Sequence, residues 1–136
     1  MKVALIDTDI LSLYFRDNQN VVENFSRYLT QHDCINISII TYYEILSGLK
    51  HCDANKQIES FLQFVAQNNI VPLTTEAIDI SAEKYAQLRK QGTAVDDIDL
   101  LIAGIAIANN LELITNNTRH FEKVSGLELS NWSIAN

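Results

Sequence analysis

The sequence predicts an α/β sandwich in one domain, its helices covering both faces of a mostly parallel central sheet. Short apolar or β-branched runs alternate with stretches of helical periodicity along all 136 residues, the pattern of repeated strand–helix units. Hydrophobic residues make up 47% and charged residues 20%, enough apolar surface for one ordinary domain and too much for a disordered chain. Gly at 4 and Pro at 1 favour long regular elements over loops and exclude collagen-like or proline-rich classes. No internal repeat, linker or shift of composition divides the chain, so a single domain is expected over residues 1–136.

Val3-Ala4-Leu5-Ile6 is a short all-apolar run, as a central strand covered on both faces requires. It stops at Asp7-Thr8-Asp9, after which Ile10, Leu11, Leu13 and Tyr14 resume at helical spacing. A second helix is expected over about 20–31, with Val21, Val22, Phe25 and Leu29 on one face. Cys34 to Ile40 alternates weakly, is β-branched and reads as the second strand. Thr41-Tyr42-Tyr43-Glu44 fits a capping box that opens the next helix, with Gly48 its weakest helix former. Residues 54–68 carry Ile58, Phe61, Leu62 and Val65 as an amphipathic stripe. Ile70-Val71-Pro72-Leu73 is a short strand whose proline confines it to an edge. Ile78, Ala82, Tyr85 and Leu88 mark a helix from about Thr75 to Gln91, stopped by Gly92. Leu100 to Ala108 is apolar almost all round, a buried helix whose Ala103, Gly104, Ala106 and Ala108 permit close packing against the sheet. Leu111 to Thr115 gives a further strand, and Leu127 to Ser133 a last short one.

Lys plus Arg at 10 against Asp plus Glu at 17 leave a net charge of −7. That balance excludes a broad basic face for nucleic acid, although cations bound in an acidic site reverse the field locally. No apolar run approaches the roughly 20 residues of a membrane-spanning helix. Asp7 interrupts the N-terminus where a secretory signal would stay apolar. Cys34 and Cys52 have neither ligand spacing nor a disulfide framework, so a cytoplasmic protein is expected. His32, His51 and His120 lie in polar surroundings and read as solvated. Signatures for phosphate-binding loops, dinucleotides, zinc proteases and serine hydrolases are all absent.

The acids are better placed than the histidines. Asp7 directly follows the first strand, Glu44 opens the helix after the second, Asp99 opens the buried helix, and Asn117 lies just past the strand that follows it. In an open parallel sheet, side chains beyond the carboxyl ends of the strands converge on one crevice. Carboxylates gathered there repel one another unless a cation compensates. Oxygen donors alone select a hard divalent ion, Mg²⁺ or Mn²⁺, which suits phosphodiester hydrolysis. Each acid also has a structural alternative. Asp7 or Asp9 can cap the next helix, Glu44 can complete the capping box with Thr41, and Asp96, Asp97 and Asp99 suit a helix N-terminus.

Four segments carry a family resemblance. Leu5-Ile6-Asp7-Thr8-Asp9-Ile10-Leu11 resembles the opening motif of PIN-domain nucleases, and Ser38-Ile39-Ile40-Thr41-Tyr42-Tyr43-Glu44 resembles their second. Asp99-Leu100-Leu101-Ile102-Ala103-Gly104 resembles the third, and Leu113-Ile114-Thr115-Asn116-Asn117-Thr118-Arg119-His120-Phe121 the fourth. Together they run in order through essentially the whole chain, at the length of VapC-type toxins. The resemblance implies a PIN-like three-layer α/β/α sandwich and a metal-dependent endoribonuclease, neutralised by a VapB-like antitoxin. Asp7, Glu44 and Asp99 match the family's catalytic, metal-binding acids. Asn117 matches a weaker fourth ligand position, where many relatives carry an acid and some carry Asn. Asp96 and Asp97 lie close by, where either could stand in the outer shell of the ion, and Thr8, Ser38 and Thr41 look like the small polar residues that orient the ligands.

For Arg119 two roles stand side by side, a phosphate contact and a plain surface charge. The other basic residues, Lys50, Lys84, Arg89, Lys90 and Lys123, are too few to grip a long duplex, which favours short structured or single-stranded RNA. A homodimer is expected from the resemblance and from Tyr14, Phe25, Phe61 and Phe64, more aromatic surface than one small core needs. Two other functions fit parts of the pattern. Asp7-Thr8-Asp9, Ser38 and Asp96-Asp97-Ile98-Asp99 imitate a haloacid-dehalogenase-like phosphatase, which has no place for Glu44. A non-catalytic PIN-like binding module would keep the acids only as caps.

Overall fold

In the computed structural model, which describes residues 1–135, the first apolar run becomes β1 (Ala4–Ile6), buried throughout. There follow α1 (Thr8–Phe15), α2 (Gln19–Tyr28), β2 (Asn36–Ser38), α3 (Ile39–His51), α4 (Asn55–Ala66) and β3 (Asn69–Val71). The remainder comprises α5 (Thr75–Lys90), α6 (Asp97–Ala108), β4 (Glu112–Ile114), α7 (Thr118–Phe121) and β5 (Leu129–Ser130). The strands form a 5-stranded sheet of order β3-β2-β1-β4-β5, parallel throughout. From β1 the chain steps outward through β2 to β3, then returns to the other side of β1 for β4 and β5. At that reversal Ala4 pairs with Glu112, Leu5 with Leu113 and Ile6 with Ile114. The next residues, Asp7 and Thr115, therefore leave the sheet side by side at its carboxyl edge, where open parallel sheets bind ligands.

The pleat sends alternate side chains to opposite faces and divides the core. Ala4, Ile6, Ile37 and Ile114 pack with Ile10, Leu11, Phe25, Tyr28 and Phe61 in the α1–α4 layer. Leu5 and Leu113 pack with Ala77, Leu88, Ile105 and Phe121 in the α5–α7 layer. The result is the expected three-layer sandwich.

Few glycines are available to end the helices, and other residues take their place. Asp17, Asp53 and Asn110 adopt φ of 59°, 52° and 54° just past the C-caps of α1, α3 and α6. In each case the next N–H bonds back into the helix: Asn18 to the Leu13 carbonyl, Ala54 to Leu49, Leu111 to Ala106. Gly92, with φ of 73°, ends α5 in the same way, as its position after Gln91 predicts.

Several expectations change. The second strand is shorter than Cys34 to Ile40, because the Ser38 hydroxyl accepts the Thr41 N–H at 3.0 Å and caps α3. Ile39 and Ile40 thus belong to the helix. The capping box at Thr41 and Glu44 does not form, and Glu44 falls in the second turn of α3 instead of the first. β3 does lie at an edge, with Pro72 just beyond it, while the last strand contracts to Leu129–Ser130. α7, a single turn, is too short to show periodicity. Phe25 and Phe61 are core residues, and Tyr14 stacks on Phe25 with ring centroids 4.0 Å apart. Those aromatics serve the protein's own α1–α4 layer, so they give no support to a dimer.

The small residues of α6 also have a different partner at Gly104, which faces α5 and not the sheet. A Cβ there would clash with Ser81 Oγ and lie 2.5 Å from the Ala77 carbonyl oxygen. Ser81 Oγ itself donates to the Leu100 carbonyl at 2.8 Å, tying α5 to α6. Gly104→Ala should therefore push the two helices apart and destabilise the fold by about 1–3 kcal/mol. Denaturant unfolding measures this, and an unchanged midpoint would contradict the packing described.

Candidate active site

Asp7 is the first residue beyond β1 and the N-cap of α1, its Oδ1 accepting the Thr8 N–H at 2.9 Å. Its Oδ2 accepts the Thr115 hydroxyl at 2.8 Å, and its N–H bonds to the Ile114 carbonyl at 2.9 Å. Only 8% of Asp7 is exposed. Burial, reinforced by the neighbouring Asp9 charge, lifts its carboxyl from 3.8 to about 7, against the pull of the Thr115 and Thr8 hydrogen bonds. Thr115 is fully buried, and its oxygen also accepts the Asn117 N–H at 3.0 Å. One hydroxyl thus fixes both the central acid and the loop after β4.

Glu44 reaches this edge from α3. Its Oε1 accepts the Thr8 hydroxyl at 2.6 Å, and the Thr8 and Thr41 hydroxyls are 2.9 Å apart. A carboxylate only accepts, so Thr8 gives its proton to Glu44 and Thr41 donates to Thr8. The two threonines hold the glutamate in place. Ser38 acts one step further back, by capping the helix that carries Thr41 and Glu44.

Asp99 lies in the first turn of α6, with 21% of its side chain exposed. Its carboxyl is raised by burial first and then by the Asp96 charge; His120 opposes the rise, while Glu44 and Asp9 add to it. Asp7 in turn feels Asp9 and Asp99. Acids from distant segments therefore lie near enough to one another at this edge to act on one another.

The other expected residues are less uniform. Asp96 caps α6 by accepting the Ile98 N–H at 3.2 Å, and it stands close enough to Asp99 to raise its carboxyl. Asp97 lines a groove between α5 and α6 with Ile78, Ser81 and Tyr85, away from the crevice. The Asn117 side chain makes no capping hydrogen bond at the start of α7. Arg119 is exposed on α7 and has no carboxylate partner among the described residues. His120 is solvent-exposed, as its surroundings predict, yet its Nδ1 lies 3.9 Å from Asp99 Oδ2.

Sequence reasoning passed over two residues. Thr115 is the buried polar residue in register with Asp7, a signal legible only once β1 and β4 are known to pair. Asp9, considered only as a cap, accepts the Asn116 N–H on Oδ2 at 3.1 Å, and its Oδ1 is buried without a hydrogen-bond partner. Burial raises the Asp9 carboxyl as well.

The donors fit a hard divalent cation: all are oxygens, they repel one another, and one buried carboxylate oxygen lacks any partner. Among the described residues no three His, Cys, Asp or Glu side chains are drawn together into a ligand shell.

A model of the PIN domain matches residues 4–127. The chain belongs to the PIN domain family. This PIN domain is 28% identical over 131 residues to the Rickettsia felis protein named ribonuclease VapC2, covering 96% of this chain and 98% of that one. It is 28% identical over 130 residues to the tRNA(fMet)-specific endonuclease VapC of Shigella flexneri, covering 95% and 97%. The crystal structure of VapBC2 from Rickettsia felis, bound to a DNA fragment from their promoter, superposes with a TM-score of 0.84 at 27% identity, covering 95% of this chain and 98% of that chain. The phosphatase alternative gives way to this family match, and Glu44, for which it had no place, is held by Thr8 at the carboxyl edge.

The buried acids give this PIN domain a definite pH response without metal. Unfolded, Asp7 titrates near 3.8; folded, near 7. The folded state thus holds more protons between these values, and the ionisation penalty is absent below pH 3.8 and complete above pH 7. Asp7→Asn removes that penalty, so in chelator its unfolding temperature should exceed the parent's by a margin that grows from pH 5 to pH 8. Asp9 and Asp99, raised in the same direction, keep part of the slope in the variant. A margin that is constant with pH, or negative at pH 8, would contradict the burial of a charged Asp7.

Proposed function

We propose that the chain is an endoribonuclease of VapC type, the toxin of a toxin–antitoxin pair, which hydrolyses RNA phosphodiester bonds with Mg²⁺ or Mn²⁺. The observation that carries this is the convergence of Asp7, Glu44 and Asp99 on the carboxyl edge of the sheet, in a chain whose full-length relatives bear ribonuclease names. Asp7, Glu44 and Asp99 would hold the ion, with Asn117 a weaker neutral donor. When bound, the ion offsets charge gathering on the phosphate oxygens and lowers the pKa of water.

The rest is the work of the chain's own groups. Thr115 keeps Asp7 from turning, and the Thr41–Thr8 relay keeps Glu44 aimed at the same edge. The N-termini of α1 and α6 direct their positive ends at Asp7 and Asp99, which eases the crowding of like charges. Asp96 fixes the start of α6 and thereby Asp99. Arg119, free of carboxylates among the described residues, is available to a phosphate beside the crevice. With a net charge of −7 the protein does not hold RNA by a basic face, so recognition falls to shape. A short structured RNA of the tRNA kind, named for the Shigella flexneri relative, fits that requirement.

The same reading supplies the partners. The Rickettsia felis neighbour was solved as a VapBC complex, and a VapB-like antitoxin covering the acidic crevice is proposed here. A homodimer belongs to this reading too, and the cytoplasm is where its RNA substrate is met. No helix among the described residues is long and apolar enough to cross a membrane.

Asp7→Asn, Glu44→Gln and Asp99→Asn should each lower RNA cleavage by about a hundredfold or more, since residues merely behind metal ligands already cost ~10- to 100-fold. Circular dichroism should show the fold retained, and excess chelator should stop the parent enzyme until Mg²⁺ or Mn²⁺ is restored. Near-parental cleavage by these variants, or cleavage in chelator, would refute the assignment. Light scattering at micromolar concentration should give the mass of a dimer; a monomer would remove that part of the proposal.

A further inference from the structure

The Asp9 carboxylate is accounted for neither by the fold nor by the ligands named above. It stands in the first turn of α1, two residues past Asp7, and its Oδ2 latches the loop after β4 through the Asn116 N–H at 3.1 Å. That latch does not require an acid, because an asparagine oxygen accepts the same hydrogen bond. Oδ1 is the anomaly: it is buried and has no partner among the described residues. Buried anionic oxygens are ordinarily paired, hydrogen-bonded or bound to a metal. The neighbouring Thr115 hydroxyl has one proton, and that proton goes to Asp7 Oδ2 at 2.8 Å. Asp9 also acts on both Asp7 and Asp99 across the crevice. A carboxylate with one oxygen left unpartnered among other anions calls for a cation.

We infer that Asp9 is the fourth anionic member of the cation site, supplying the charge that the neutral Asn117 leaves out. The inference rests on reading the crevice as a metal-dependent ribonuclease site. Asp7, Glu44 and Asp99 alone carry −3, so one divalent ion leaves −1 and a second overshoots to +1. With Asp9 the set carries −4, which two divalent ions balance. The loop after β4, which contributes no acid at position 117, is instead tied by Asn116 to the acid that replaces it.

The test is calorimetric titration with Mn²⁺, without RNA, of the unmodified protein, Asp9→Asn and Asp7→Asn. Asp9→Asn keeps the acceptor for the Asn116 N–H and replaces the anionic Oδ1 with a neutral amide nitrogen. It should bind Mn²⁺ about tenfold more weakly or worse, while its unfolding temperature in chelator is no lower than the parent's. The rise in unfolding temperature on adding Mn²⁺ should shrink accordingly. If Asp9→Asn binds Mn²⁺ as the parent does and Asp7→Asn does not, Asp9 is outside the site and the ribonuclease reading stands. If the unmodified protein fails to bind Mn²⁺ at millimolar concentration, both fall. An Asp9→Asn protein that is less stable in chelator would also overturn the inference, by showing that the carboxylate has a structural partner.

Discussion

The hydrogen bond from Thr115 to Asp7 is the interaction on which the other parts of the site are built. It joins the residues that emerge side by side from β1 and β4, at the point where the order of strands reverses. It holds a carboxylate that burial would otherwise push to turn outward or take up a proton. Through its accepting lone pair the same hydroxyl sets the position of Asn117 and hence the start of α7. Every other acid is placed relative to this pair: Asp9 by the helix that Asp7 caps, Glu44 through Thr8 on that helix, and Asp99 across the crevice.

Such an arrangement is held against its own electrostatics. Asp7, Asp9 and Asp99 all titrate above the ordinary range, with burial the leading cause in each case. The fold resists this with directed dipoles rather than with basic side chains: capped N-termini at α1 and α6, a backbone N–H on Asp9, and hydroxyls on Asp7 and Glu44. Of the basic side chains among the described residues only His120 comes near Asp99, its Nδ1 3.9 Å away and in solvent. Asp7 is buried, Asp9 and Asp99 are half-buried and Glu44 is exposed, and their countercharge is left to something outside the chain's own side chains, as the proposed cation site requires.

Much of this was legible in the sequence because it is written in strand ends. An all-apolar run closed by Asp7, and a small-residue helix opened by Asp99, locate two acids without any knowledge of pairing. The boundaries at Ser38 were harder to read. Ile39 and Ile40 look like strand, and only the Ser38 hydroxyl turning back to the Thr41 N–H shows that the helix has begun. That shift moved Glu44 from a cap to a turn where it meets Thr8. Thr115 and Asp9 were illegible for a different reason. Their roles arise from the register of β1 on β4, and no local pattern reports a contact between residues so far apart in the chain. The partnering of Gly104 with α5 was hidden likewise, since small residues announce close approach but not to what.

All of these features bear on the statement proposed above, that the carboxyl edge of the sheet is a cation site built around Asp7. A crystal structure of the protein grown with Mn²⁺, its ions located by anomalous scattering, puts that statement to the test. An anomalous peak is expected in the crevice, within bonding distance of Asp7 and bounded by Glu44, Asp9 and Asp99. Mn²⁺ bound elsewhere, with the Asp7 carboxylate held only by Thr115 and Thr8, would contradict it.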